Sequence, residues 1–217
     1  MIRIWLSVSL LACATPALAS PDCGSLQQRW KEKYTADFKI EPMAFNFTCP
    51  SPVVKLARTF HDLETIQIAT LTESAPLYHF VTSRIRKMVF DPNCQALARE
   101  GGGTITICPA FFNDTREDRA ATLIHESRHI DASDPGHVNC VGGRHDQKRK
   151  ACDETLMSES LKGSGYNADL WFYGLAMQEP NSNHELKRAV MQSYVNRMVP
   201  DRFNNAKAEL IRKWRKN

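Results

Sequence analysis

Six of the seven cysteines, those at positions 23, 49, 94, 108, 140 and 152, restrict what this 217-residue chain can fold into more than any other feature; Cys13 falls in the segment expected to be removed. An even set in an oxidising compartment reads as a disulfide framework. Neighbour pairing closes short loops of plausible geometry: Cys23 with Cys49, Cys94 with Cys108, and Cys140 with Cys152. Each bridge would restrain the unfolded chain by about 2–4 kcal/mol. A cysteine-ligated metal is the alternative, and the sequence has no Cys-x-x-Cys spacing to support it.

The oxidising compartment is itself an expectation from residues 1–19. Arg3 precedes an apolar run over residues 4–12, and Ala17-Leu18-Ala19 puts small residues where a signal peptidase needs them. The pattern predicts a signal peptide over 1–19 and a mature chain of 20–217 starting at Ser20, secreted or periplasmic. The run falls short of the roughly 20 apolar residues of a membrane span. Leu10-Leu11-Ala12-Cys13 loosely resembles a lipoprotein box, so membrane attachment would follow only if Cys13 were lipidated. Ala17-Leu18-Ala19 is the better cleavage signal.

Hydrophobic residues make up 42% and charged residues 24%, the balance of a globular domain. With 28 basic against 24 acidic residues, the net charge of +4 is too slight for a nucleic-acid footprint. The basic end Arg212-Lys213-Trp214-Arg215-Lys216 reads as a solvated helix terminus. No internal repeat and no long linker divides the chain, which predicts one domain over 20–217, a monomer.

Apolar residues at spacings of three and four predict helices over 25–34, 53–63 and 76–86. Residues 41–52 read as a loop or short strand. The runs 87–90 and 104–108 flank Gly101-Gly102-Gly103 and predict a small antiparallel hairpin tied by Cys94 and Cys108. Asn113-Asp114-Thr115 offers N-caps for a helix over 116–130, stopped by Asp134-Pro135-Gly136. Further helices are predicted over 152–162, 167–177, 183–198 and 201–214. The expected class is α+β and helix-rich.

His125-Glu126-Ser127-Arg128-His129 is a His-Glu-x-x-His segment inside the predicted 116–130 helix. Residues four apart share a helix face, so both imidazoles can bind one zinc ion, while Glu126 reaches water at the metal as general base. The bland alternative is a surface helix with two satisfied histidines. Against it stand the apolar pair Leu123-Ile124 and the small Ala121 and Thr122 one turn earlier. A catalytic zinc normally takes three protein ligands. Candidates for the third are His137, just past the Pro135-Gly136 turn, Asp146 in the loop beyond, and Asp153 beside Cys152 at the start of a predicted helix.

The stretches Thr104-Ile105-Thr106-Ile107-Cys108-Pro109-Ala110-Phe111-Phe112 and Arg119-Ala120-Ala121-Thr122-Leu123-Ile124-His125-Glu126-Ser127-Arg128-His129 resemble the aspzincin metallopeptidases, deuterolysin and the peptidyl-Lys metalloendopeptidases. Asn167-Ala168-Asp169 is similar to the Asn-Ala-Asp segment on a later helix of those enzymes. The resemblance covers about residues 104–177 and implies a zincin-like fold and a zinc endopeptidase with two His ligands and one Asp. The family's Gly-Thr-x-Asp-x-x-Tyr-Gly string has no copy here: Gly143 and Asp146 match two positions, and Asp153 one. Asp153 ranks first as third ligand, because a donor opening a helix and braced by a disulfide is better preorganised than one in a loop; His137 and Asp146 follow. In lysine-specific members the Asn-Ala-Asp aspartate helps bind the substrate ammonium. Asp169 is thus a candidate substrate residue, while Phe172 replaces the second acid of that pocket.

The expected activity is hydrolysis of peptide bonds with one zinc ion per chain and a polypeptide substrate. Residues 104–108 are expected as the edge strand that pairs with it. Two alternatives stay open: a secreted non-enzymatic protein with structural zinc or none, and a zinc peptidase acting on cell-wall peptides.

Overall fold

The computed structural model describes residues 21–41, 45–65, 76–134, 136–137 and 165–176. The predicted signal peptide, Cys13, the Cys140 and Cys152 pair, Asp146, Asp153 and the helices expected over 152–162, 183–198 and 201–214 lie outside them.

The first helical segment runs through three pieces: α1 (Cys23–Arg29), a π-helical turn (Trp30–Tyr34) and α2 (Thr35–Asp37). Asp22 caps it by accepting the Ser25 backbone N–H at 2.8 Å. The buried residues Leu26, Trp30, Tyr34 and Phe38 recur every fourth position. In an ideal α-helix that stride drifts about 40° per step. The wider π turn takes back much of the drift and keeps the aromatic rings on one face. On that face Phe60 stacks between Phe38, at 3.6 Å between centroids, and Trp30, at 5.9 Å.

Phe60 belongs to α3 (Pro52–Thr65), and α4 (Pro76–Arg84) follows it. Three short strands come next: β1 (Lys87–Phe90), β2 (Ala98–Gly101) and β3 (Thr104–Ile107). A 3-10 turn (Pro109–Asn113) leads into α5 (Arg116–His129), and α6 (Gly165–Ala176) is the last described element. The fold is therefore α+β, as expected.

The sheet corrects two sequence expectations. Its order is β1-β3-β2, with β1 parallel and β2 antiparallel to β3, so it is mixed rather than antiparallel. The hairpin partner of 104–107 is 98–101, not 87–90. The cause is the two-residue connection: Gly102 and Gly103 both have positive φ, at 62° and 86°, which turns the chain back on the residues just before it. It follows that 104–107 is the centre of the sheet, with β1 and β2 its outer strands. The Ala-Arg-Glu-Gly sequence of β2 has no β-branched residue to announce it.

Two disulfides form among the described residues, Cys23–Cys49 and Cys94–Cys108, with Cα atoms 6.3 and 5.4 Å apart. Both are neighbour pairs, and both are bonds of an oxidising environment. The first ties α1 to the loop before α3; the second ties the approach to β2 to the end of β3. No described helix is long and apolar enough to cross a membrane.

α5 is the central element and touches α3, α4, α6, β2 and β3. All six residues from Arg119 to Ile124 are buried, so neighbours cover the helix on every side. Thr115 caps it: its hydroxyl accepts the Asp118 N–H at 3.1 Å, and it donates back to the Asp118 carboxylate at 2.6 Å. Arg119 bonds Thr59 of α3 and the Asp114 carbonyl, while Arg116 pairs with Asp62. Tyr173 of α6 donates its hydroxyl to Asp118, which sets α6 along α5.

Candidate metal centre

The last turn of α5 presents His125 and His129 one helical turn apart, as the spacing demands. Beyond Ile130 the chain makes a tight turn. The Asp131 carboxylate accepts the Ser133 N–H at 3.0 Å and its hydroxyl at 2.9 Å, and the Asp134 N–H reaches the Asp131 carbonyl. Gly136, with φ of 72°, then reverses the backbone. The reversal returns His137 to the helix. Its Nε2 lies 3.1 Å from Nε2 of His129 and 3.2 Å from Nε2 of His125, and those two are 3.1 Å apart.

Two of the three rings are held from behind by carboxylates. Asp169 Oδ2 lies 2.9 Å from His125 Nδ1, and Asp134 Oδ2 lies 2.7 Å from His129 Nδ1. A carboxylate acceptor places the proton of a neutral imidazole on Nδ1, leaving the Nε2 lone pair for the centre of the triangle. The facing lone pairs of His125 and His129, 3.1 Å apart, repel one another unless a cation lies between them. Tetrahedral zinc with Zn–N bonds of about 2.0–2.1 Å would require N···N edges of about 3.3–3.4 Å, close to those observed. The three histidines could hold a metal ion.

α6 supplies the wall behind this cluster. Tyr166 stacks on His137 at 4.4 Å and meets His125 edge-on at 4.8 Å. Gly165 lies so close that a Cβ there would fall 2.6 Å from Nε2 of His125. Phe172 and Tyr173 are buried, in keeping with packing against α5.

Glu126 points toward the sheet, and its carboxyl is pushed up chiefly by burial. Beside it lies the backbone N–H of Glu100 in β2. The Cys108 N–H bonds the Leu97 carbonyl at 3.0 Å, so by antiparallel alternation the backbone groups of Ala98 and Glu100 face away from β3, toward the outer edge of the sheet.

Of the candidate third donors, His137 is the one the described residues bring to His125 and His129; Asp146 and Asp153 lie outside them. Asp169, which the Asn-Ala-Asp resemblance offers as a substrate residue, is 2% exposed and lies against His125 Nδ1. Sequence reasoning passed over Asp134, Gly165 and Tyr166. Asp134 was open to discovery, since an imidazole ligand needs an acceptor for its outer nitrogen and this Asp sits five residues past His129. No protein-family model matches the chain, and no curated protein or solved structure matches it.

Proposed function

We propose that this protein is a secreted or periplasmic zinc metalloendopeptidase with a zincin-like arrangement, in which His125, His129 and His137 hold the metal and Glu126 is the general base. The observation that carries the reading is the triangle of Nε2 atoms, with carboxylates fixing two of its rings and Glu126 one residue along the same helix. Three neutral imidazoles suit zinc and leave a position for water and substrate, the pattern of catalytic rather than structural sites. The proposal departs from the aspzincins, whose third donor is an aspartate.

Bound there, zinc supplies Lewis acidity that activates water and polarises the scissile carbonyl. Asp134 and Asp169 keep His129 and His125 in the ligating tautomer. Glu126 takes a proton from the attacking water as its oxygen adds to the carbonyl carbon. The same carboxyl then delivers that proton to the departing amine nitrogen as the C–N bond breaks. β2 offers the outward backbone groups of Ala98 and the outward Glu100 carbonyl beside Glu126, where an extended polypeptide can pair as a further strand.

Glu126→Gln removes the base and no metal ligand. The variant should bind about one zinc per chain as the wild type does while peptidase activity falls by several orders of magnitude, more than about 4 kcal/mol on the barrier. Loss of zinc from Glu126→Gln, or activity close to wild type, would count against the assignment.

A further inference from the structure

Arg128 has no direct part in the chemistry above, yet it is the largest of the fully buried side chains, at 0% exposure. A guanidinium removed from water is costly unless its donors are met, so its partners show what it is for. Nη2 donates to the Ser133 carbonyl at 3.0 Å, Nη1 reaches the Ser133 hydroxyl at 3.4 Å, and Nη1 lies 3.4 Å from the Asp131 carboxylate. Among the described residues, these partners belong to the short turn over 131–134. Arg84 of α4 grips the same turn, its Nη2 bonding at 3.1 Å the same Asp131 oxygen that Arg128 faces.

This turn does two things for the metal centre. Its last residue, Asp134, bonds His129, and the chain leaving it passes through Gly136 to His137. A free turn of this length would wander. We propose that Arg128 is the positioning residue of the metal centre: its buried guanidinium holds the 131–134 turn against the end of α5, so that Asp134 meets His129 and His137 returns to the pair. The inference rests on the zinc reading above. A lysine cannot replace the group, because a single ammonium lacks the planar fork that spans the Ser133 carbonyl, its hydroxyl and Asp131.

The test is a Zn²⁺ titration of the full mature chain, alongside the thermal stability of the metal-free protein. Arg128→Met and Arg128→Lys should both bind zinc about 10- to 100-fold more weakly than wild type, the range seen when a group behind a ligand is removed. If Arg128 acts through Asp134, the losses in Arg128→Met and Asp134→Asn should not add in the double variant. The His129 Nδ1–H proton resonance, which the Asp134 bond should draw downfield in the wild type, should weaken or shift in Arg128→Met, a signature that a core-filling role would not move. Should the Arg128 variants fail to fold, Asp131→Asn removes a partner of the guanidinium without opening the core and should still weaken zinc binding. Wild-type affinity in folded Arg128→Met, or failing that in Asp131→Asn, overturns the positioning role alone. A wild-type protein that binds no zinc overturns the metal reading and this inference together.

Discussion

His137 sits eight residues past His129, and only the positive φ of Gly136 turns it back onto the helix face. If it is the third donor, His137→Ala should lose zinc affinity far more than Asp153→Asn or Asp146→Asn in equilibrium titration. A reversed ranking would restore the aspartate expected from the aspzincin resemblance. Asp131 makes a separate prediction. The Ser133 N–H, the Ser133 hydroxyl, Arg84 and Arg128 together lower its carboxyl from 3.8 to about 2. A carboxyl depressed on folding contributes stability that is present above its unfolded value and lost as the pH falls through the folded one. With chelator present, wild type should therefore be more stable than Asp131→Asn at pH 5 to 7, and the gap should close between about pH 4 and 2. Thermal melts across that range check it, and a gap that widens in acid would contradict the ion-pair account.

At the level of elements, the His-Glu-x-x-His helix was the easiest to read, because its cap, its four-residue spacing and its stop are all local. Thr115 caps it and Ile130 closes it, close to the expected 116–130 span. α6 was also foreseen as a helix over 167–177, but its role was not. Its first turn closes on His125 through Gly165 and Asp169, a contact between residues more than thirty positions apart that no local pattern encodes. Gly165→Ala should thus push α6 off the His125 ring and weaken zinc binding at least about tenfold, the scale of a disturbed ligand orientation. Competition with a chromogenic chelator measures this, and wild-type affinity would show that the ring and helix shift at no cost. The sheet was misread for the opposite reason: the β-branched runs 87–90 and 104–107 do pair, but in parallel, while the polar 98–101 forms the antiparallel edge.

Across the whole molecule, the candidate centre joins α5, the turn after it and α6, parts that the disulfides Cys23–Cys49 and Cys94–Cys108 leave untied. A metal held by α5 and the chain just after it, with α6 packed behind His125, should stabilise the folded state by mass action, about 4 kcal/mol at free zinc a thousandfold above Kd. Thermal unfolding with excess zinc against chelator should show a rise in the wild type and none in His125→Ala. An equal rise in both would place the zinc elsewhere.

What depends on near neighbours and on covalent chemistry is legible along the chain. The α+β class, the helices 53–63 and 76–86, two neighbour disulfides and the paired His125 and His129 with Glu126 between them all follow from spacing, capping and cysteine order. Only the fold brings His137 against His125 and His129, puts 104–107 between 87–90 and 98–101, and sets Asp169 against an imidazole. Each of these depends on where a chain reversal or a docked helix brings distant residues together. The positive φ of Gly102, Gly103 and Gly136 and the close approach of Gly165 to His125 are not written in a pattern of polar and apolar residues.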